Sequence, residues 1–300
     1  MSTIEVDRAA FLEGQIEPQP RRRRPKRKTV NTVIWFVVLL ALTAIILYPL
    51  VWLVFSTFKP SSEFGQNPGL IPENPTIDNY LKVFDGIAGT PLWRFFGNSL
   101  LIAVSAVIGI LASSALAAYA FARIKFKGVG VLFAAMIGTL LLPFHVIIIP
   151  QYIMFQKLEL VDTYVPLILP KFLATEAFFV FLMVQFIRNI PRDMDEAARI
   201  DGAGHTRIFF SIILPLSRPI LGVVSIFAVT AVWKDFLWPK LVMPSPETRT
   251  VSVGIYAFAG GTPMNVVIAA SVIAAIPTVI IFLIFQRNIM SGLTTGSIKG

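Results

Sequence analysis

Residues 32–58 read TVIWFVVLLALTAIILYPLVWLVFSTF, a run without a single charged side chain. An α-helix rises 1.5 Å per residue, so about 20 apolar residues cross the hydrocarbon core of a bilayer. The run exceeds that length, and it is too long for the apolar region of a cleaved signal peptide, which has about 7–15 residues. It therefore predicts a membrane-spanning helix.

The residues just before this run are strongly basic. The segment Arg21 to Lys28 reads RRRRPKRK and holds seven of the chain's 26 lysines and arginines. A basic cluster beside an apolar span is typical of a cytoplasmic anchor that meets anionic headgroups. The alternative, a nuclear-localisation or nucleic-acid-binding run, is disfavoured by the adjoining span, so no nucleic-acid partner is expected. Residues 1–31 bury too little apolar surface to fold, and we predict a disordered tail.

The apolar pattern of the first span recurs along the chain. Of the 300 residues 55% are hydrophobic and 14% are charged, whereas soluble domains carry about 25% charged residues. The predicted spans cover residues 32–58, 94–121, 129–149, 165–187, 219–241 and 266–285. We therefore predict an all-α integral membrane protein with six transmembrane helices, comprising a transmembrane domain over residues 32–290 and a short tail over 291–300.

The distribution of basic residues predicts the orientation. With the N-terminus inside, 18 of the 26 lysines and arginines fall in cytoplasmic segments, as the positive-inside rule requires. Both termini are therefore expected in the cytoplasm. Two loops rich in proline and glycine, Lys59–Trp93 and Val242–Asn265, then lie outside. They are either plain connectors or contacts for an external partner.

Residues 190–215 form the most distinctive segment, IPRDMDEAARIDGAGHTRIFFSIILP, between predicted spans four and five. Pro191 suits the first turn of a helix, and the acidic residues that follow it favour the positive end of the helix dipole. Gly202 and Gly204 suit a turn, since glycine tolerates positive φ. Thr206 is a candidate N-cap for a second helix. The pattern predicts two short helices in a cytoplasmic loop.

The first of these helices carries a small apolar patch. Its members are Met194, Ala197, Ala198 and Ile200. Small alanine side chains let another protein approach the backbone closely, and Glu196 and Arg199 supply charged contacts at the rim. The patch is typical of a docking surface, and the alternative is an ordinary amphipathic helix that lies on the membrane.

The same segment resembles a known motif. The EAA motif of bacterial ABC-importer permeases is matched in type and spacing by Glu196, Ala197, Ala198, Gly202, Ile212, Leu214 and Pro215. From about residue 32 to the end the chain resembles the carbohydrate (maltose-type) permeases. The matching stretches include AYAFAR at 118–123, IPQY at 149–152, IDGA at 200–203 and GLTTGSIKG at 292–300.

This resemblance implies a permease subunit of an ATP-driven sugar importer in the bacterial inner membrane. It implies a second permease subunit, two cytoplasmic ATPase subunits and an external solute-binding protein as partners, besides the lipid bilayer. The loop is then the coupling helix, and its implied ATPase contacts are Glu196, Ala197, Ala198, Arg199, Gly202, Leu214 and Pro215.

The chain has no phosphate-binding loop of the G-x-x-x-x-G-K type, since none of its 19 glycines precedes a lysine. We therefore expect the chain not to be an enzyme itself and to bind no cofactor, with ATP and Mg²⁺ used by the partner ATPase.

Ionisable residues within spans mark a candidate solute path, because each is costly in the membrane. Glu176 lies mid-way along predicted span four, and Trp233, Lys234 and Asp235 lie in the outer part of span five. An aromatic ring beside polar groups suits a sugar. Relatives commonly carry asparagine where this chain has Lys234. Gln151 is a weaker candidate. We expect Glu176 to pair with Lys234 across the bundle, either along the path or as a purely stabilising buried pair.

Two other classes of protein compete with the permease. An ion-coupled secondary transporter or channel also fits six spans with buried charges. However, the sequence shows no carboxylate relay, and this class leaves the EAA-like loop unexplained. A membrane enzyme needs clustered catalytic residues, and the sequence shows none. The chain has no cysteine and two distant histidines, His145 and His205, so neither a disulfide nor a metal site is expected.

Overall fold

The computed structural model describes residues 26–86 and 90–295, and the elements in these ranges are all helices. In chain order they are α1 (Lys26–Ser56), α2 (Asp78–Asp85), α3 (Leu92–Arg123), α4 (Val129–Thr139), α5 (Phe144–Lys157), α6 (Val165–Ile168), a 3₁₀ segment (Leu169–Leu173), α7 (Ala177–Asn189), α8 (Asp193–Ile200), α9 (His205–Ile208), a π-helical segment (Phe209–Ile213), α10 (Leu214–Leu216), α11 (Arg218–Lys234), α12 (Leu237–Val242), α13 (Val251–Phe258) and α14 (Met264–Thr295). The predicted all-α fold is confirmed.

Four helical segments in these ranges are each long and apolar enough to cross a membrane. They are Thr32–Ser56, Leu92–Arg123, Val165–Asn189 and Met264–Ile284. Two bent helix pairs bring the number to as many as six, which equals the predicted count if each pair is one span.

The bent pairs differ from the straight spans expected from the sequence. Helices α4 and α5 meet at 99°, and Pro143 lies at the N-cap of α5. Proline disfavours helical geometry in the residue before it, which explains a break within predicted span 129–149. The segment from α9 to α10 meets α11 at 73°. Helix α11 ends at Lys234 because Asp235 is extended (φ −61°, ψ 129°), so predicted span 219–241 is two helices, α11 and α12.

The chain divides into two units, one ending at Trp52 and the other beginning at Leu53. In the first unit, the α1 side chains from 33 to 50 are all exposed, as expected of a surface that contacts lipid. Helix α1 begins at Lys26, within the segment predicted as a disordered tail, and lysine and arginine are good helix formers. The rest of that segment, residues 1–25, lies outside the described residues.

In the second unit, α3 is the central helix and packs against α7 and α11. Small residues let membrane helices approach closely, and the buried small residues of α3 include Ala103, Ala106, Gly109, Ala115, Ala118 and Ala122. A Cβ added at Gly109 would lie 2.6 Å from Cδ2 of Phe172.

The C-terminal helix α14 continues to Thr295, so the tail predicted from residue 291 begins as helix, and residues 296–300 lie outside the described ones.

A buried polar cluster organises the loop between α1 and α3. Lys59 is 1% exposed, and its Nζ donates to the carbonyl of Asn67 at 2.8 Å. The Asn79 amide donates to the Lys59 carbonyl at 2.8 Å, and the Asn265 amide donates to Asn79 Oδ1 at 2.7 Å. The loop is therefore fastened to the start of α14 by side-chain amides.

Asp162 ties the loop after α12 to the segment before α6. Its Oδ1 accepts a hydrogen bond from Thr248 Oγ1 at 2.7 Å, and its carboxylate also accepts from the Ser245 hydroxyl and amide. Burial raises the pKa of the Asp162 carboxyl, but these hydrogen bonds and nearby Arg249 outweigh it and hold the pKa below its ordinary value. The carboxylate is thus ionised at neutral pH and keeps its acceptor capacity.

Candidate functional site

Helix α8 lies in the loop between α7 and α11, at the end of α3 that carries Arg123. It begins at Asp193 with three acidic residues in its first turn, where the helix dipole favours them. Pro191 lies two residues ahead of the helix instead of in its first turn. The two predicted short helices are present, and the second one is continuous with a π-helical segment.

A buried ion pair anchors α8 to α3. Arg123 Nε lies 3.0 Å from Asp195 Oδ2, and their side chains are 2% and 8% exposed. Arg123 Nη2 also donates to the carbonyl of Ile190 at 2.7 Å, just before α8. One guanidinium therefore fixes both the entry of the loop and its first helical turn. Neither residue was among the predicted site residues, although Arg123 lies in the matching stretch 118–123 and Asp195 directly precedes Glu196 of the EAA-like motif.

Helix α8 ends in a Schellman motif. Gly202 has φ +80°, its amide donates to the Arg199 carbonyl at 3.0 Å, and the Ala203 amide donates to the Ala198 carbonyl at 2.9 Å. The prediction that Gly202 supplies the turn is confirmed. Gly204 has φ −75°, so its conformation does not require glycine.

The second helix of the loop packs inward. Gly204 is its N-cap and no side chain caps it, so the cap predicted at Thr206 is wrong. Tyr119 of α3 lies within hydrogen-bond distance of His205, with Oη 3.0 Å from Nδ1, and its ring packs on Phe209 with centroids 5.2 Å apart. The π-helical segment follows, a conformation that is rare and concentrated at functional sites.

The exposed surface of the loop differs from the predicted patch. Ile200 is 88% exposed and Met194 is 40% exposed, and Glu196, Ala197 and Arg199 are exposed as well. Ala198, however, is half-buried and packs against the hydrophobic core. Of the other three predicted contacts, Gly202 and Pro215 are exposed and Leu214 packs on the core. We define the docking face as Met194, Glu196, Ala197, Arg199 and Ile200.

The predicted pair of Glu176 with Lys234 is wrong. Glu176 forms an ion pair with Lys171, with side chains 31% and 27% exposed, and Lys234 is exposed. Predicted span four is not a single α-helix: a 3₁₀ segment precedes Ala174, whose φ is +54°. This break brings Lys171 and Glu176 together although they are five residues apart.

Asp235 lies near this pair at a second helix break, without an ion pair to Lys171 within the described part of the chain. It interacts electrostatically with both Lys171 and Glu176 and lies in the extended segment between α11 and α12. We call Lys171, Glu176 and Asp235 the ionic cluster. The sequence indicated Glu176 and Asp235 as candidates for the solute path but not Lys171.

The remaining path candidates do not join the ionic cluster. Trp233 is 7% exposed, its indole nitrogen donates to the Ala274 carbonyl at 3.1 Å, and its ring packs edge-on against Phe96. The indole is thus held within a hydrophobic core cluster. Gln151 is half-buried on α5. Within the described residues, no group of three histidine, cysteine or acidic side chains is arranged to hold a metal ion.

Comparisons with known proteins agree with this architecture. Residues 105–294 match the family model described as binding-protein-dependent transport system inner membrane component. The arabinooligosaccharides transport system permease protein AraQ of Halalkalibacterium halodurans is 36% identical over 282 residues, covering 92% of this chain and 100% of that protein. The trehalose/maltose transport system permease protein MalG of Thermococcus litoralis is 32% identical, covering 92% of this chain and 99% of that one.

A solved structure shares the fold. One chain of a bacterial ABC transporter involved in the import of the polysaccharide alginate superposes with a TM-score of 0.74 at 21% identity, covering 89% of this chain and 99% of that chain. The family match extends from within α3 into the last turn of α14, so it includes α8 and the ionic cluster. The chain belongs to the family of binding-protein-dependent transport system inner membrane components and is a multi-pass membrane permease.

Proposed function

We propose that this chain is the permease subunit of an ATP-driven importer of oligosaccharides, and that α8 is its coupling helix. The observation that carries the proposal is the Arg123–Asp195 pair, which fixes α8 on the central helix α3 while its apolar end at Ile200 is exposed. A movement of α8 is thereby transmitted to a helix that packs against α7 and α11. The relatives named for arabinooligosaccharides and for trehalose and maltose support a carbohydrate as the solute.

The proposed complex supplies ATP hydrolysis from separate subunits. With no G-x-x-x-x-G-K segment in this chain, the nucleotide is bound by a partner ATPase with Mg²⁺, and a second permease subunit completes the path. A solved complex of an alginate ABC transporter with its periplasmic protein supports an external solute-binding protein as a further partner.

Reconstitution tests the proposed function directly. The chain is assembled in proteoliposomes with its partner subunits and the solute-binding protein, and uptake is measured for the oligosaccharide that the binding protein retains. We expect uptake that needs both ATP and the binding protein. Uptake that an ion gradient drives without ATP would instead identify a secondary transporter.

Cysteine labelling tests the orientation, in which both termini and α8 are cytoplasmic. The chain has no cysteine, so single substitutions report cleanly. We expect Gln66→Cys, in the loop between α1 and α3, to react with a membrane-impermeant maleimide in intact cells. Lys127→Cys, on the connector between α3 and α4, should react only after the membrane is opened; both positions are exposed. The reverse pattern would invert the topology.

The ionic cluster is the part of the solute path that this chain contributes. Discontinuous helices with polar groups at their breaks are tolerated in membranes where they line a cavity, and both breaks carry members of the cluster. Its carboxylates and ammonium group match the hydroxyl groups of a sugar in hydrogen-bonding capacity.

Glu176→Gln is expected to lower the uptake rate roughly fivefold, because glutamine keeps a neutral hydrogen bond and loses only the additional ~1 kcal/mol that a charged acceptor contributes. Initial uptake is measured at equal amounts of assembled complex. Glu247→Gln, an exposed carboxylate in the loop after α12, is the matched control and should transport normally. Unchanged uptake in Glu176→Gln would remove this residue from the path.

A further inference from the structure

A cavity of about 250 Å³ lies beside the base of the loop that carries α8. Its walls come from the end of α3, the start of α4 and the residues around the end of α7. Arg123 lines it from one side while its guanidinium holds Asp195. The cavity is therefore next to the anchor of α8, on the side of the protein where α3 ends and α8 begins.

Three basic side chains give the cavity its charge. Lys125, Arg188 and Arg192 line it, and none of its lining residues is acidic. The Arg188 guanidinium lies 4.8 Å from the centroid of the Phe133 ring, and Arg192 Nη2 lies 3.4 Å from the Ala122 carbonyl. Within the described residues, no carboxylate lies within ion-pair distance of these three cations. Such a site has an excess of positive charge and suits an anion.

The other half of the lining is apolar. It consists of Phe121, Ile124, Phe126, Val129 and Phe133, with Gly130 among them. Cations beside aromatic rings at the end of two membrane helices, α3 and α7, match a molecule with an anionic head and hydrocarbon chains. A free phosphate ion or an acidic side chain would contact the cations alone, whereas a phospholipid also contacts the apolar half of the lining.

We propose that this cavity binds the phosphate of an anionic phospholipid, with Lys125, Arg188 and Arg192 around the headgroup and the phenylalanine rings along the first part of the acyl chains. The inference rests on the proposed topology, which places the cavity at the cytoplasmic leaflet, where anionic lipids and basic pockets meet. The bound lipid lies against Arg192 and Arg123, so it supports the base of the coupling loop.

Lipid titration of the purified complex in detergent tests the proposal. Native mass spectrometry measures the binding of dioctanoyl-phosphatidylglycerol, dioctanoyl-phosphatidylcholine and inorganic phosphate. We expect the phosphatidylglycerol to bind most tightly. The double substitution Lys125→Gln with Arg188→Gln should weaken its binding by about 25-fold, because each basic residue contributes roughly fivefold. Lys127→Gln removes an exposed charge that does not line the cavity and should bind as the unchanged protein does.

A second variant distinguishes the effect of losing basic charge from the effect of losing space in the cavity. Gly130 lines the cavity and a Cβ added there would meet no atom within 4 Å, so Gly130→Phe places a ring at the cavity wall without removing a cation and should also weaken phosphatidylglycerol binding by occupying its space. If both the double variant and Gly130→Phe bind phosphatidylglycerol normally, the cavity is not the lipid site. If inorganic phosphate binds as tightly as the lipid, the site takes free anions and the lipid assignment is overturned. The titration needs no transport, so a failure of sugar uptake leaves its result unaffected.

Discussion

Asp195→Ala is expected to destabilise the folded permease by about 3–5 kcal/mol, because it leaves the Arg123 guanidinium buried without its counter-charge. The Arg123 side chain is only 2% exposed, so little water is available to solvate the guanidinium when the carboxylate is lost. The free energy of unfolding is measured by denaturant titration of the purified complex in mixed micelles, with the midpoint of thermal unfolding as a second readout.

Asp193→Ala is the matched control for this prediction. Asp193 lies in the same first turn of α8, but it is exposed, so its loss removes only a dipole interaction of at most about 1 kcal/mol. A second comparison replaces both charges, Arg123→Met with Asp195→Leu, and should recover much of the lost stability, as apolar replacements of buried ion pairs commonly do. Equal destabilisation by Asp195→Ala and Asp193→Ala would show that the pair is not the anchor of α8.

The fold was largely predictable because apolar span length is a strong, local signal. Each of the six predicted segments contains helix, and the run at 32–58 coincides closely with the exposed apolar part of α1. The breaks were less predictable. Pro143 does mark the bend between α4 and α5, but Pro49 and Pro277 lie inside continuous helices. Whether a proline breaks a membrane helix depends on its neighbours, which a span count leaves out.

The site residues likewise divide into those whose roles the sequence predicted and those whose roles it did not. The Gly202 turn was predictable because positive φ is a property of one residue and its immediate neighbours. The partners of Arg123 and Glu176 were not, since ion pairs depend on where distant or bent segments meet. Glu176 was expected to reach across the bundle, yet the left-handed conformation at Ala174 lets it meet Lys171 on the same segment.

The orientation of each side chain on α8 could also be determined only from the structure. Spacing alone placed Ala197 and Ala198 together in one outward patch, although successive residues of a helix point about 100° apart. Ala198 instead packs inward and its carbonyl closes the Schellman motif. A bulky residue there would disturb the loop itself, so a loss of coupling would not identify an ATPase contact. The informative position for testing an ATPase contact is Ile200, which is both exposed and apolar.

Ile200→Asp is therefore expected to abolish ATPase binding while the permease stays folded. Ile200 is 88% exposed, so its side chain contributes little to internal packing, and exposed substitutions usually change stability by about 0.5 kcal/mol or less. An apolar anchor buried in a partner's cleft contributes about 2 kcal/mol or more, which corresponds to at least about a 30-fold loss of affinity. The introduced aspartate carboxylate would also have to lose its bound water on entering the cleft, which lowers the affinity further.

Co-purification of the ATPase with tagged permease measures the effect, together with ATP-dependent uptake in proteoliposomes. Ile71→Asp makes the same chemical change at a side chain that is 72% exposed in the loop between α1 and α3, and it should leave both readouts unchanged. A variant that loses the ATPase and uptake but unfolds at the normal temperature assigns Ile200 to the interface. If Ile200→Asp keeps its ATPase and transports normally, α8 does not dock the ATPase through this face, and the proposed coupling role fails.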